Sequence, residues 1–332
     1  MPSTSSDIVL INELKSILSQ INFYFGMSIF SFGIVGNLLN ILILSQRTLR
    51  SNPCVIAFLA SSIAGIIAIL SGLTSRVLSS VSSDLSATVN WICKFRGFIL
   101  FTSRAATFWL ITLAAIDRWF LSSIDVHRRQ MSSKKNALRG IIIITLGSVL
   151  IHTQLFYCYE ANLVGTPLKC FNRNVTCRLF NDLAFAIIAI LCPLTLNGIF
   201  GWMTIGNIQK TRMRIQPMTV ITVSYPTQMN TQQRRSKKTD QRLFFMLFVQ
   251  VIFLFLFTMP LAIQKLYATL TINKSKSPLE ITIEDFIYQI TLICTYFAAG
   301  MPFYINTLSG GSVFRKAIIH VKKLIVRKIF CK

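Results

Sequence analysis

Long runs of apolar residues, broken by short polar links, dominate this chain. Six runs contain no Asp, Glu, Lys or Arg: Ile21 to Leu44, Cys54 to Ser75, Gly140 to Cys158, Leu183 to Ile208, Leu243 to Gln264 and Phe286 to Leu308. Each comes close to or exceeds the roughly 20 residues a helix needs to cross the hydrocarbon core of a bilayer. A seventh run, Gly97 to Ile116, is interrupted only by Ser, Thr and the single Arg104. The pattern predicts an all-α membrane protein, a seven-transmembrane helix bundle over residues 21–308. An N-terminal tail (1–20) precedes it and a basic segment (309–332) follows. In that last segment Gly310 and Gly311 can break a helix. Phe314, Ala317, Ile318, Val321 and Ile325 then recur at helical spacing opposite Arg315, Lys316, Lys322 and Lys323. This predicts a short amphipathic eighth helix on the membrane surface, with an unfolded basic tail as the alternative.

Composition agrees: of 332 residues, 53% are hydrophobic and 14% charged, which excludes an ordinary soluble domain. The net charge of +23 acquires meaning once the links are sorted by side. With the N-terminus placed outside, the cytoplasmic links and tail hold 23 of the 34 basic residues and only Asp117, Asp125 and Asp240 among the 11 acids. That asymmetry is the positive-inside pattern, and it predicts contact with anionic membrane lipid, with no nucleic acid required. Two glycosylation triplets, beginning at Asn174 and Asn273, both fall in links this topology places outside, as expected for a plasma-membrane protein. The first apolar run lacks a basic leader and a small-residue cleavage site and is read as a span.

Four of the eight cysteines, Cys93, Cys158, Cys170 and Cys177, lie at the outer surface, and three disulfide pairings are open to them. No Cys-x-x-Cys spacing points to zinc, and no hydrolase, zinc-protease or phosphate-loop motif occurs, so neither an enzyme nor a cofactor is expected. A seven-helix transporter would be expected to carry midplane acids or paired broken helices, and the spans show neither. Arg104 is the one charge inside a predicted span. At that depth it needs a partner, either a ligand carboxylate or amide oxygen, or neighbouring Ser, Thr and helix carbonyls. Gln264, Tyr267, Tyr288 and Thr291 are candidate pocket residues by depth. Glu280, Glu284 and Asp285 crowd the start of span seven, where they suit a basic peptide or simply cap a helix.

Taken in order, the spans carry motifs that resemble those of rhodopsin-like G-protein-coupled receptors over nearly the whole chain. Gly36-Asn37 stands in span one, and Pro193, Pro260 and Pro302 in spans five, six and seven. Cys93 precedes Asp117-Arg118-Trp119 by 24 residues, or about 36 Å of helix. The Trp91-Ile92-Cys93 start of span three and the outer loop Cys170 to Asp182 most resemble invertebrate neuropeptide receptors of the FMRFamide-receptor kind. The resemblance implies an extracellular ligand, peptide in type, and a heterotrimeric G protein as inner partner, coupled through outward movement of helix six. It implies a disulfide between Cys93 and Cys170, which leaves Cys158 with Cys177 as a second pair or as thiols. It also implies that Arg118 binds Asp117, and Asp240 at the base of span six, in the resting state. Asp240 can equally be a helix N-cap.

Departures from the family pattern are substantial. Trp119 replaces the tyrosine of Asp-Arg-Tyr, Thr258 the span-six tryptophan, and Met301 and Ile305 the polar residues around Pro302. Gly201 lacks the usual span-five tyrosine. No Asp or Glu occurs between Glu13 and Asp84, where the family holds sodium, and Gly65 takes that place. Leu100 stands where amine receptors carry Asp, and span seven has no Lys for retinal. These losses leave a non-signalling decoy, or a chemosensory receptor for a non-peptide ligand, as the alternatives.

Overall fold

The computed structural model describes residues 5–47, 49–80, 84–164, 166, 168–215, 231–272, 274–310, 314, 318 and 319. The long helices are α1 (Ser5–Leu44), α2 (Pro53–Ser80), α3 (Asn90–Ser122), α5 (Lys134–His152), α8 (Cys192–Ile215), α9 (Thr231–Leu270) and α10 (Pro278–Gly300). Shorter helices are α4 (Val126–Met131), α6 (Leu155–Cys158), α7 (Val175–Ala184) and α11 (Pro302–Ser309). A two-residue antiparallel hairpin, β1 (Tyr159–Glu160) with β2 (Phe171–Asn172), lies between α6 and α7. Six segments are long and apolar enough to cross a membrane, and α10 with α11, bent by 51°, completes a seventh. The seven-span bundle is thus present, with three differences from the charge-free windows.

First, helices continue past the first charge. α1 begins at Ser5, well before the apolar run at Ile21, while α2 runs on through Arg76 and α9 through Lys265. A single charged side chain does not interrupt backbone hydrogen bonding, so a helix ends at its cap and not at its first cation. Caps are evident where links meet spans. Ser277 and Glu280 form a reciprocal capping box with Pro278 in the first turn of α10, Ser133 caps α5, and Asn174 caps α7.

Second, α7 and α8 are joined by a π-helical stretch, Phe185–Leu191, immediately before Pro193. Proline has no N–H to donate, and the wider turn also loosens the ladder. Trp109 of α3 donates its indole N–H to Ile188 O at 3.1 Å, and within α8, one turn beyond the proline, Asn197 donates to Pro193 O at 2.7 Å.

Third, span seven breaks at Met301, between Gly300 and Pro302. The break leaves the Ala299 carbonyl to the Asn37 amide of α1, which donates to it at 3.0 Å. α1 can come this close because Gly33 and Gly300 meet backbone to backbone: a Cβ at Gly300 would lie 2.9 Å from the Gly33 Cα. Such contacts between small residues are how membrane helices gain packing without a hydrophobic driving force. The eighth-helix expectation lies almost wholly outside the described residues. Of that segment beyond Gly310, Phe314 is buried against the core and Ile318 packs at its edge.

Candidate functional site

The two ends of the bundle differ in chemistry, and α3 runs through both. At one end Cys93, in the first turn of α3, is disulfide-bonded to Cys170, and Cys158 to Cys177. The first bond ties β2 to α3, and the second ties the end of α6 to the first turns of α7. Together they fix the hairpin over the mouth of the bundle.

Beneath the hairpin a cavity of about 340 Å³ opens between α2, α3, α9 and α10. Its walls include apolar Leu100, Phe101, Phe185, Leu261 and Leu292, and its charged lining is mostly cationic: Arg76, Arg96, Arg104, Lys169 and Lys265 against Asp84. Arg104 donates to Thr295 Oγ1 of α10, and its guanidinium lies 5.3 Å from the Phe185 ring and 5.0 Å from that of Tyr296. Arg76 donates to Gln289 Oε1 and, at 3.4 Å, to Asn22 Oδ1, while its Nη2 is buried without a hydrogen-bond partner. Arg96 donates to Ser75 Oγ, and its Nε is likewise buried and unbonded. Among the described residues the one cavity acid, Asp84, accepts from the Ser86 backbone and hydroxyl at 2.9 and 2.7 Å and caps a 3-10 turn. Tyr159, on β1, carries a phenol that is protonated at neutral pH in any case, and burial, with nearby Tyr288 and Asp182, pushes its pKa well above the ordinary value. It therefore faces the cavity as a neutral group.

Among the described residues Lys265 is the one cavity cation paired with a carboxylate. It is hydrogen-bonded to Asp182 near the end of α7, and Arg178 approaches the second oxygen of Asp182 at 3.7 Å. This triad joins span five to span six at the cavity wall.

Of the residues the sequence put forward, Arg104 and Tyr288 line this cavity. Gln264 and Glu284 line a separate small cavity of about 20 Å³ beside Asp182 and Lys265. Tyr267 is half-exposed, with the Lys276 ammonium 5.4 Å from its ring. The Thr291 hydroxyl donates to Ile287 O and Tyr288 O of its own helix. Glu284 is paired with Lys276 at 2.6 Å and Glu280 is engaged in the capping box. Sequence reasoning missed Arg76, Arg96, Lys265 and Asp182. The first and third were missed because the apolar windows were closed at the first charge, although helical apolar spacing continues beyond both.

At the opposite end Arg118 is 3% exposed, and its Nη2 donates to Asp117 Oδ2 at 2.7 Å and to Asn52 Oδ1 at 2.6 Å. Asp117 in turn accepts from Ser132 Oγ at 2.6 Å. Trp119 packs on Phe200 of α8, with the Arg128 guanidinium 5.6 Å from its ring. Asp240 falls on α9, and its side chain lies outside the described set, as do Asn273 and Cys331. Pro260 sits inside α9 without ending it, and Pro302 opens α11. Asn174 is exposed, and its Oδ1 accepts from the Cys177 N–H at 2.8 Å, which leaves the amide nitrogen to the surface.

A polar chain links α1, α2 and α11 nearby. Asn306 Nδ2 donates to Asn40 Oδ1 at 3.0 Å, and Asn40 Nδ2 to Ser62 Oγ at 2.7 Å. Among the described residues no group of three His, Cys, Asp or Glu side chains is arranged to hold a metal.

The sequence profile described as 7 transmembrane receptor (rhodopsin family) matches residues 36–301, which take in both the cavity and the Arg118 cluster. No curated protein matches the chain.

Proposed function

The chain belongs to the rhodopsin family of seven-transmembrane receptors, and from that premise we propose that it binds an extracellular ligand, peptide in type, and signals to a heterotrimeric G protein. In this reading the disulfide-bonded end faces outward at the plasma membrane, and the Arg118 end faces the cytoplasm. The basic links at the Arg118 end support that orientation.

One observation carries the reading. A single helix, α3, supplies Arg104 to the cavity at one end and Arg118 to a buried, doubly bonded cluster at the other. Ligand binding that favours a different packing of α9 against α3 would open an inner cleft beside Arg118, so that binding outside becomes a population shift inside. Lys265 places α9 directly in the cavity wall, which gives a ligand purchase on the helix that must move outward.

The test is G-protein dissociation in cells expressing the chain and exposed to a peptide library, beside an Arg118→Ala variant of matched surface expression. A response in the first and none in the second supports a signalling receptor. A response unaffected by the substitution contradicts the coupling role of Arg118.

A second reading, a receptor for a compact non-peptide ligand, is favoured by the cavity itself. A volume near 340 Å³ lies at the lower end of the range for small-molecule sites and accepts no more than the tip of a peptide. The same dissociation assay run with small organic ligands separates the two.

A further inference from the structure

The charge of the cavity carries more than its volume does. Arg76 and Arg104 are 5% and 6% exposed, and neither forms an ion pair with a carboxylate among the described residues. Their partners are Gln289, Asn22 and Thr295, all neutral. Arg96 adds a third guanidinium, bonded to Ser75. Of the nearby acids, Asp182 is paired with Lys265 and Arg178, and Asp84, which caps a turn through Oδ1, sets a single negative charge against Arg76, Arg96, Arg104 and Lys169. Uncompensated cations at membrane depth are costly, and a guanidinium fork matches a carboxylate in shape as well as charge.

We infer that the cavity takes a ligand with a carboxylate head on an apolar body, its head held by Arg76 and Arg104. Arg76 Nη2, buried in the cavity wall without a partner, is the donor left for one carboxylate oxygen once the side chain turns toward the head. Leu100, Phe101, Phe185 and Leu292 receive the body. This rests on the receptor reading only for the outside origin of the ligand, because anion binding is measurable without signalling. Two sources present the same chemistry: a small organic acid, or the last residue of a peptide with a free C-terminus.

The experiment uses the full chain in nanodiscs of uncharged lipid and follows its thermal unfolding. The probes are 3-phenylpropionic acid, indole-3-acetic acid and a short peptide ending in phenylalanine, each at about 5 mM and each beside its primary amide. The expected result is a midpoint raised by about 2 °C by at least one acid and not by its amide. Which acid does so distinguishes the two sources. In Arg76→Gln and Arg104→Gln the shift with the acid falls to that with the amide, and Arg104→Lys, which keeps the charge, retains part of it. Equal shifts with acid and amide, no shift with any acid, or an acid shift unchanged in both Gln variants would each overturn the assignment. Should a Gln variant fail to fold, the acid-against-amide comparison on the unaltered chain still decides. G-protein dissociation measured with the same probes separates the two readings, since acid binding without dissociation removes the signalling role and leaves the anion site in place.

Discussion

The Lys265 ammonium, on α9, is hydrogen-bonded to the buried carboxylate of Asp182 on α7, with Arg178 at 3.7 Å from the other oxygen. The three charges are unequal in their dependence on one another. Removing Lys265 leaves Asp182 with a second cation, whereas removing the Asp182 charge leaves Lys265 buried with only the faces of Phe185 and Tyr288, at 5.5 and 5.6 Å. Breaking a buried pair from one side costs about 3–5 kcal/mol. Asp182→Asn is therefore expected to lower the unfolding midpoint more than Lys265→Met, with the double variant falling between wild type and Asp182→Asn. Thermal unfolding of the purified proteins checks the order, and a Lys265→Met variant that is the less stable of the two singles would contradict it.

Arg118 is held by Asn52 as well as by the adjacent Asp117. A hydrogen bond to a charged group contributes about 1.5–3 kcal/mol. If the cluster holds the resting arrangement, Asn52→Ala biases the equilibrium toward the open form, and roughly 1.4 kcal/mol corresponds to a tenfold change in population. Ligand-free G-protein dissociation is expected to rise by about tenfold in Asn52→Ala and to vanish in Arg118→Ala. Unchanged basal activity in Asn52→Ala, at equal surface expression, would mean the contact does not restrain the switch.

Much of this architecture is legible in the sequence. Apolar runs located all seven spans, because the bilayer imposes a length that soluble helices do not share. The Cys93–Cys170 disulfide agrees with the pairing implied by the family resemblance, and Cys158 with Cys177 forms the second pair that the sequence left open against free thiols. Arg104 stood out because it is a lone charge inside an apolar run. Arg76 and Lys265 were hidden by the same logic, since a window drawn to exclude charge necessarily ends where a functional charge begins. The π turn before Pro193 was not legible, because hydrogen-bond register leaves no compositional trace. Nor was Asn306, because the family keeps its polar residues at the places of Met301 and Ile305, while this chain carries an amide one residue beyond Ile305.

Glycine substitutions offer a test of helix approach that does not depend on function. A Cβ at Gly300 would press on the Gly33 backbone, and one at Gly72 would overlap the Tyr296 ring, whereas Gly147 and Gly201 have nothing within 4 Å. Gly300→Ala and Gly72→Ala are expected to destabilise by about 1–3 kcal/mol through overpacking. Gly147→Ala and Gly201→Ala should be neutral or mildly stabilising, since alanine is the better helix former. Thermal unfolding in detergent reads all four, and similar midpoints across the set would show that the backbones are not in close contact.

The Asn306, Asn40 and Ser62 chain is buried, with both asparagines at 1% exposure or less, so it cannot exchange its partners for water. Asn306→Leu removes the donor to Asn40 Oδ1 and leaves that oxygen unsatisfied, at a cost of about 1–3 kcal/mol. Replacing the whole chain by apolar groups removes the unsatisfied atoms along with the bonds, so Asn306→Leu, Asn40→Leu and Ser62→Ala together should be less destabilised than the sum of the three single changes. The decisive quantity is this non-additivity, because steric misfit alone would accumulate with each substitution. A triple variant whose loss of stability equals or exceeds the sum would show that shape, and not hydrogen bonding, holds α11 against α1 and α2.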